Sequence, residues 1–581
     1  MPSRRIKQSL FRIFWKSDMN LIIFGGGYTF IIFFLIQRVY RIAGNVPYTY
    51  SIEALVRYMD IFCYVHFPLM FLAAVNYFTL EKRHAFDEVL DEASVRYRDR
   101  AKKAVLMRLN SFLCLLFVCM QIVYFMQMSV SSFHYLVTSV FHVLYIFGGV
   151  GILAIELGLL LAKISRRELR FLMFLVLNFL LGYPMLWLNN YFFFWWTQSF
   201  NASPVKYIFM ELFNVLPEGV MTSTDGYGCH AVEVHKFFLL FSWILICYLC
   251  NTLLYRFYTK KKKILWISAI ALICCMISFL PYGKIDGTGQ RTYNKYYAKY
   301  EKSANRIQGQ ETLEAQEFHV ISYSIEFYTF INLYAKVEAK VSEPDLDTYC
   351  FTLLDEYRVL SVKNQDGTRL DFERKGDYLY VYAGDGATDS MTFQYYGMAD
   401  PLYADFNGIY LPAGVPFFPM PGINDVYVKA NDESGNIYYY ENHLPETEFK
   451  VTVHTLGEVY SSLEEEGENQ FYGKSDGFFL LSGTVFTNEV DGVTFYYPVT
   501  TYEYAPVTEI EEVQKSFIED MDDLLTDYGE APLKGKKVLV MWMTFYDDGL
   551  DVFDDFVGVH AIQSSPYSEE LYQSILGDSG Q

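Results

Sequence analysis

ILWISAIALICCMISFLPY, residues 264–282, is the last apolar span of this chain, and the sequence on its two sides differs sharply. Residues 1–282 carry 27 Lys and Arg against 15 Asp and Glu, a net of +12, whereas residues 283–581 carry 20 against 52, a net of −32. A transmembrane helix needs about 20 mostly apolar residues to cross about 30 Å of hydrocarbon, and this span is of that length. The first part therefore reads as an α-helical bundle in lipid. The second reads as an acidic domain beyond it.

Working back from this span, six others have the same character, at 19–37, 58–80, 105–128, 135–162, 171–196 and 237–255, which makes seven in all. Residues 1–18 are basic but do not form a cleavable signal, because the apolar run after them is full length and has no small-residue cleavage site. Orientation follows from where Lys and Arg lie in short loops. Arg4, Arg5, Lys7, Arg12 and Lys16 precede the first span, and Arg256 with Lys260 to Lys263 separate the last two. The loops after the second and fourth spans are equally basic. The expectation is a multi-pass protein of the cell membrane, with a cytoplasmic N-terminus and residues 283–581 outside the cytoplasm.

Seven of the nine cysteines lie within these spans and act as small apolar residues. Cys229 and Cys350 are the two expected outside, and sequence leaves open whether they pair. Residues 2–17 set Ile6, Leu10, Ile13 and Phe14 at helical spacing among basic residues, the pattern of a helix lying in the membrane interface. Residues 204–220, PVKYIFMELFNVLPEGV, are apolar but too short to cross, and suit a re-entrant hairpin. Phe192, Phe193, Phe194, Trp195 and Trp196 before it make an aromatic belt.

This layout over residues 1–258 resembles a type-2 ABC exporter permease: six spans, an interfacial N-terminal helix, a charged loop after span two, and a short outer re-entrant segment. The resemblance implies that the loop carrying Glu81, Lys82, Arg83, Arg96, Arg98, Arg100, Lys102 and Lys103 couples to a separate cytoplasmic ATPase subunit. It also implies a homodimer or a heterodimer with another permease. The chain has no GxxxxGK[ST], so ATP would be bound by that separate subunit, and no cofactor is expected here. Residues 259–282 then form an added seventh helix.

Ionisable groups within lipid are costly and are functional candidates. Asp60 and His66 fall in span two, and His142 and Glu156 in span four, fourteen residues apart and so on one broad α-helical face. A proton or substrate path and polar packing between helices are both open readings. The Gly25-Gly26-Gly27 and Gly148-Gly149 clusters suit close helix packing.

Beyond a linker at 283–316, alternating β-branched and aromatic residues with turn dipeptides every 8–12 residues predict an antiparallel β-sandwich over 317–505. Asp366-Gly367 is a hairpin signal. A series of phrases, EYRVLSVKNQDGTRLDF (356–372), QYYGMADPLY (394–403), NGIYLPAGVPFFPMPG (407–422) and EFKVTVHTLGEVYSSLEEEGENQFYGKSDGFFLLSG (448–483), resembles the N-terminal sandwich of the aminopeptidase N family of zinc peptidases. The helical pattern at 508–528 and the strand at 536–545 resemble the start of that family's catalytic domain, making 506–581 a short α/β segment. No HExxH occurs, and the histidines outside the spans include no i, i+4 pair, so the zinc site cannot be built in the family manner.

No catalytic, cofactor-binding or metal-binding residues are therefore assigned, and the chain is expected not to be an enzyme. The acidic runs at 464–468, 520–523 and 547–555 read as solvated faces, and the overall acidity argues against nucleic acid. Three functions stay in play. One is a permease-like transport subunit whose outer sandwich recognises substrate or a partner. Another is a split or truncated membrane-anchored aminopeptidase, and the last is an anchored interaction protein. The first is preferred, because seven spans exceed what anchoring needs.

Overall fold

The computed structural model describes residues 14–15, 17–33, 36, 50–79, 95–126, 133–182, 212–213, 215–216, 234–254, 261–278, 318–330, 332–383, 387–397, 399, 402–405, 408–429, 437–440, 442–483, 485–498, 507–527, 532–542 and 550–561. The chain divides into two compact units, one drawn mainly from residues 1–281 and the other mainly from residues 282–581.

In the first unit, α1 (Asp18–Leu21) runs into a π-helical segment, Ile22–Tyr28, that holds the three consecutive glycines. Next come α2 (Tyr50–Thr79) and α3 (Val95–Met126). A rod follows, made of α4 (Phe133–Val143), a second π-segment (Leu144–Val150) and α5 (Gly151–Ala162). α6 (Arg167–Leu181), α7 (Val234–Leu254) and α8 (Lys261–Ser278) complete the described helices. The second π-segment corrects one expectation. His142 and Glu156 do not share an uninterrupted α-helix, because the i→i+5 turns between them change the angular step.

Among the described residues, four stretches are long and apolar enough to cross a membrane: Phe62–Thr79, Asp99–Val123, Ser139–Ala162 and Lys236–Leu253. Asp18–Phe33 and Ile264–Ser278 are shorter apolar helices. Four of the seven expected spans are thus seen among the described residues. α8 spends its first turn on Lys261 to Lys263, and the fifth span continues past Leu181 into residues outside those described. The same holds for the aromatic belt, Cys229 and the 283–316 linker.

Apart from Glu156, α5 is apolar on every side and nearly all of it is buried, so it is the central helix. Gly158 lets α2 come close, since a Cβ there would overlap the Cβ of Ala74. The N-terminal end is tied to α2 by Asn76, which donates to Ser17 Oγ at 2.9 Å and to Asn20 Oδ1 at 3.0 Å. Phe14, from the expected interfacial helix, is completely buried in the bundle core.

Four described residues of the expected re-entrant segment, Leu212, Phe213, Val215 and Leu216, also pack in this core. Their carbonyls are held from the rod and from α7. Tyr145 donates to the Val215 carbonyl, Lys236 Nζ to Leu216 at 3.2 Å, and Trp243 Nε1 to Leu212 at 2.8 Å. Such side chains satisfy backbone carbonyls buried within the bundle.

The second unit is built on an eleven-stranded sheet. Its spatial order is Met420–Pro421, Thr348–Thr352, Tyr378–Tyr382, Arg369–Lys375, Arg358–Asn364, Ser390–Gly397, Leu333–Val341, Val320–Thr329, Thr447–His454, Gln470–Ser475 and Glu464–Gly467. A four-stranded sheet faces the same core, and the expected Asp366-Gly367 hairpin is present, with Gly367 at φ 76°. The sheet is not wholly antiparallel as expected. Val320–Thr329 pairs in parallel with Thr447–His454, from Ser322 opposite Glu448 to Tyr328 opposite His454.

The strands Val485–Val490 and Val493–Pro498 leave the sandwich and join the C-terminal sheet, where the second pairs in parallel with Lys537–Trp542. Helix α9 (Val507–Asp527) makes that parallel crossover. Lys537 pins this sheet to the rest of the unit, its ammonium donating to the carbonyls of Ser461, Ser462 and Leu463 at 2.7, 2.8 and 3.1 Å. Burial holds its pKa below the usual lysine value. Lys537→Met leaves three carbonyls short of a donor, and the expected loss is about 1–3 kcal/mol. Chemical denaturation followed by α9 ellipticity checks this.

Candidate functional site

Glu156 sits midway along α5 with its side chain 3% exposed, where an isolated carboxylate would be very costly. Two helices compensate it. From α3, Lys103 Nζ forms an ion pair with Glu156 Oε1. From α7, Asn251 Nδ2 donates to Glu156 Oε2 at 2.9 Å and to its carbonyl oxygen at 3.0 Å. Lys163, just past α5, donates back to Asn251 Oδ1 at 2.9 Å and to its carbonyl at 3.1 Å. The Lys103 ammonium also lies 5.5 Å from the centre of the Tyr248 ring. The cluster locks α3, α5 and α7 together and holds a carboxylate and an ammonium within proton-exchange distance.

Lys102 points elsewhere, because adjacent helical residues are turned by about 100°. It is 1% exposed, donates to the Tyr77 carbonyl at 3.2 Å and lies 5.5 Å from that ring. The start of α3 is thereby fastened to α2 as well. Lys102 and Lys103, assigned from sequence to a loop facing a partner, are instead turned into the bundle.

Of the other expected loop residues, Arg100 is exposed on α3, while Arg96 and Arg98 are on its first turn. Glu81, Lys82 and Arg83 lie outside the described residues. Asp60 is on α2, and its side chain is not among those described. His66 on α2 is fully buried, with its Nδ1 2.8 Å from the Tyr28 hydroxyl and its ring edge-on to Phe147 at 5.1 Å. His142 is buried at the end of α4.

Sequence reasoning named Glu156 and Lys103 separately and missed that they meet. It also missed Asn110, Asn251 and Lys163. One signal was present: Lys103, Asn110 and Gln121 are separated by 7 and 11 residues, intervals that keep a helix face in register.

In the second unit, the carboxylates of Asp355, Glu356 and Asp377 converge within 4.8 Å. Arg374 lies among them. Its guanidinium donates to the carbonyls of Leu353, Leu354, Tyr357 and Gly376 at 2.6, 2.5, 2.7 and 2.9 Å. Desolvation lowers the Arg374 pKa, and the three carboxylates oppose that shift. The guanidinium thus holds the turn by its carbonyls and offsets part of the carboxylate charge. His443 is 2.7 Å from Asp476 Oδ2 and stacks on Phe553 at 4.4 Å, while His454 stacks on Tyr328 at 4.3 Å, so both rings serve packing.

No protein-family model and no curated protein matches the sequence, so the permease resemblance has no family match behind it. Solved structures similar to part of the chain include an M1 zinc metallopeptidase from Deinococcus radiodurans, at 14% identity and TM-score 0.26, covering 45% of this chain and 64% of that one. Another is leukotriene A4 hydrolase from Saccharomyces cerevisiae, at 11% identity and TM-score 0.28, covering 47% of this chain and 48% of that one. The chain therefore spans less than two thirds of the length of either protein.

Proposed function

We propose that this chain is a multi-pass membrane transport subunit of permease type, driven by a separate cytoplasmic ATPase and carrying an external, non-catalytic β-domain that recognises substrate or a partner. The observation that supports this most is the fastening of the start of α3 to three other helices, by Lys102 to α2 and by Lys103 through Glu156 to α5 and α7. A push on the segment before α3 is then delivered to the bundle centre instead of being absorbed by a loose connector. The seating of Leu212, Phe213, Val215 and Leu216 in the bundle core fits the same reading.

The test uses Arg96, Arg98 and Arg100, and leaves Lys102 and Lys103 intact because they hold the bundle. Reversing the three arginines to glutamate is expected to reduce ATPase activity co-purifying with the chain about tenfold, the effect of roughly 1.4 kcal/mol of lost association. Undiminished ATPase activity with the reversed chain overturns the coupling assignment.

A further inference from the structure

We propose that the face of α3 carrying Lys103, Asn110 and Gln121 lines a proton path through the helical unit, closed by the stacked rings of Phe117 and Phe147. This goes beyond the transport reading and requires no ATPase. On α3, residues 103, 110, 117 and 121 fall at intervals of 7, 7 and 4, so they form one stripe. Opposite them runs the antiparallel rod from α4 to α5. Lys103 meets Glu156, Asn110 Nδ2 donates to the Gly148 carbonyl at 3.1 Å, and Phe117 stacks on Phe147 at 3.8 Å. That register sets Gln121 level with Ser139 and His142, each 1% exposed.

Two features of this stripe are not explained by packing. Asn110 and Gln121 are 2% and 1% exposed, yet Asn110 Oδ1 and Gln121 Oε1 accept no hydrogen bond from the described residues. Each orphaned acceptor costs about 1–3 kcal/mol, which leucine at the same position would avoid. Asn110 Oδ1 faces Gly151 so closely that any Cβ there would overlap it. The second feature is the pair of π-segments, a rare conformation frequent at functional sites. One ends in Tyr28, bonded to His66, and the other contains Phe147, which touches both His66 and Phe117.

Proton-exchanging groups thus lie along the rod on both sides of the ring stack, Glu156 after Phe147 and His142 before it, while the Tyr28–His66 pair touches the stack at Phe147. Amide oxygens stand between them. α3 and the rod approach too closely for a larger solute, since a Cβ at Gly151 would overlap the Asn110 amide. Water entering between the amides carries the proton across stretches without a titratable side chain. Each step breaks one O–H or N–H bond at the donor and forms one at the acceptor, and the net change is one proton moved. Conversion of Leu144–Val150 from π to α rotates Phe147 off Phe117, which opens the constriction.

The full chain, reconstituted in liposomes with an entrapped pH-sensitive dye and a valinomycin-clamped potassium gradient, tests this. The Phe117→Ala, Phe147→Ala double variant is expected to raise proton influx about tenfold or more, as for a widened hydrophobic gate. Adding Gln121→Leu or His66→Leu returns the flux to the wild-type level. Leu157→Ala, a buried cavity off the stripe, leaves it unchanged. If the double variant does not elute as the wild type does, the single variant Phe117→Ala, which removes one ring of the stack, takes its place. A well-folded gate variant with no added flux overturns the proposal, and so does equal flux from Leu157→Ala. The ATPase assay above reads neither outcome, so the two proposals fail separately.

Discussion

Glu156→Gln is expected to destabilise the helical unit by about 3–5 kcal/mol, because it leaves the Lys103 ammonium in an apolar bundle without its counter-charge. The expected readout is a lower melting temperature and loss of a single elution peak in detergent. Lys103 keeps partial access to the surface, with 24% of its side chain exposed, so the cost falls toward the low end of that range. Removing both charges together, with Lys103→Met and Glu156→Leu, is expected to recover most of the loss. A double variant no better than Glu156→Gln would mean that Asn251 carries the stabilisation and the ion pair does not.

Arg374→Met is the second large effect expected. The substitution strands four backbone carbonyls and leaves Asp355, Glu356 and Asp377 facing one another without a cation. Only Asp377 of the three carboxylates is buried, so the cost comes mainly from the carbonyls left without a donor and is about 1–3 kcal/mol. Arg374→Lys keeps the charge but cannot span the same carbonyls from a planar fork, so it falls between the wild type and methionine. Urea unfolding followed by the β-sheet ellipticity of the full chain separates the three. Equal midpoints for Lys and Met would show that geometry matters there and charge does not.

What could be read in advance divides along the range of the forces involved. The apolar rods and the Asp366-Gly367 hairpin follow from local pattern, length and turn chemistry. Lys102 and Lys103 do not. A basic run before a span looks solvated in one dimension, and only the packing of α2, α5 and α7 around α3 reveals the two ammoniums as internal. Arg374 is similar: within FERKGDY it looks like one charge of a surface run. Of the three parallel pairings among the described strands, two, Val320–Thr329 with Thr447–His454 and Val493–Pro498 with Lys537–Trp542, join segments far apart in sequence, and strand alternation is the same whichever neighbour is chosen.

The first of those pairings sets an order in time. Residues 320–341 leave the ribosome as a finished hairpin, yet one edge of it stays bare until the strand at 447–454 has been made, more than a hundred residues later. At about 5–20 residues per second the wait lasts some seconds. An open edge in that interval is a template for pairing with another chain. Nascent copies are therefore most exposed to one another midway through synthesis, and a message broken between these two strands yields a product with its stickiest surface uncovered.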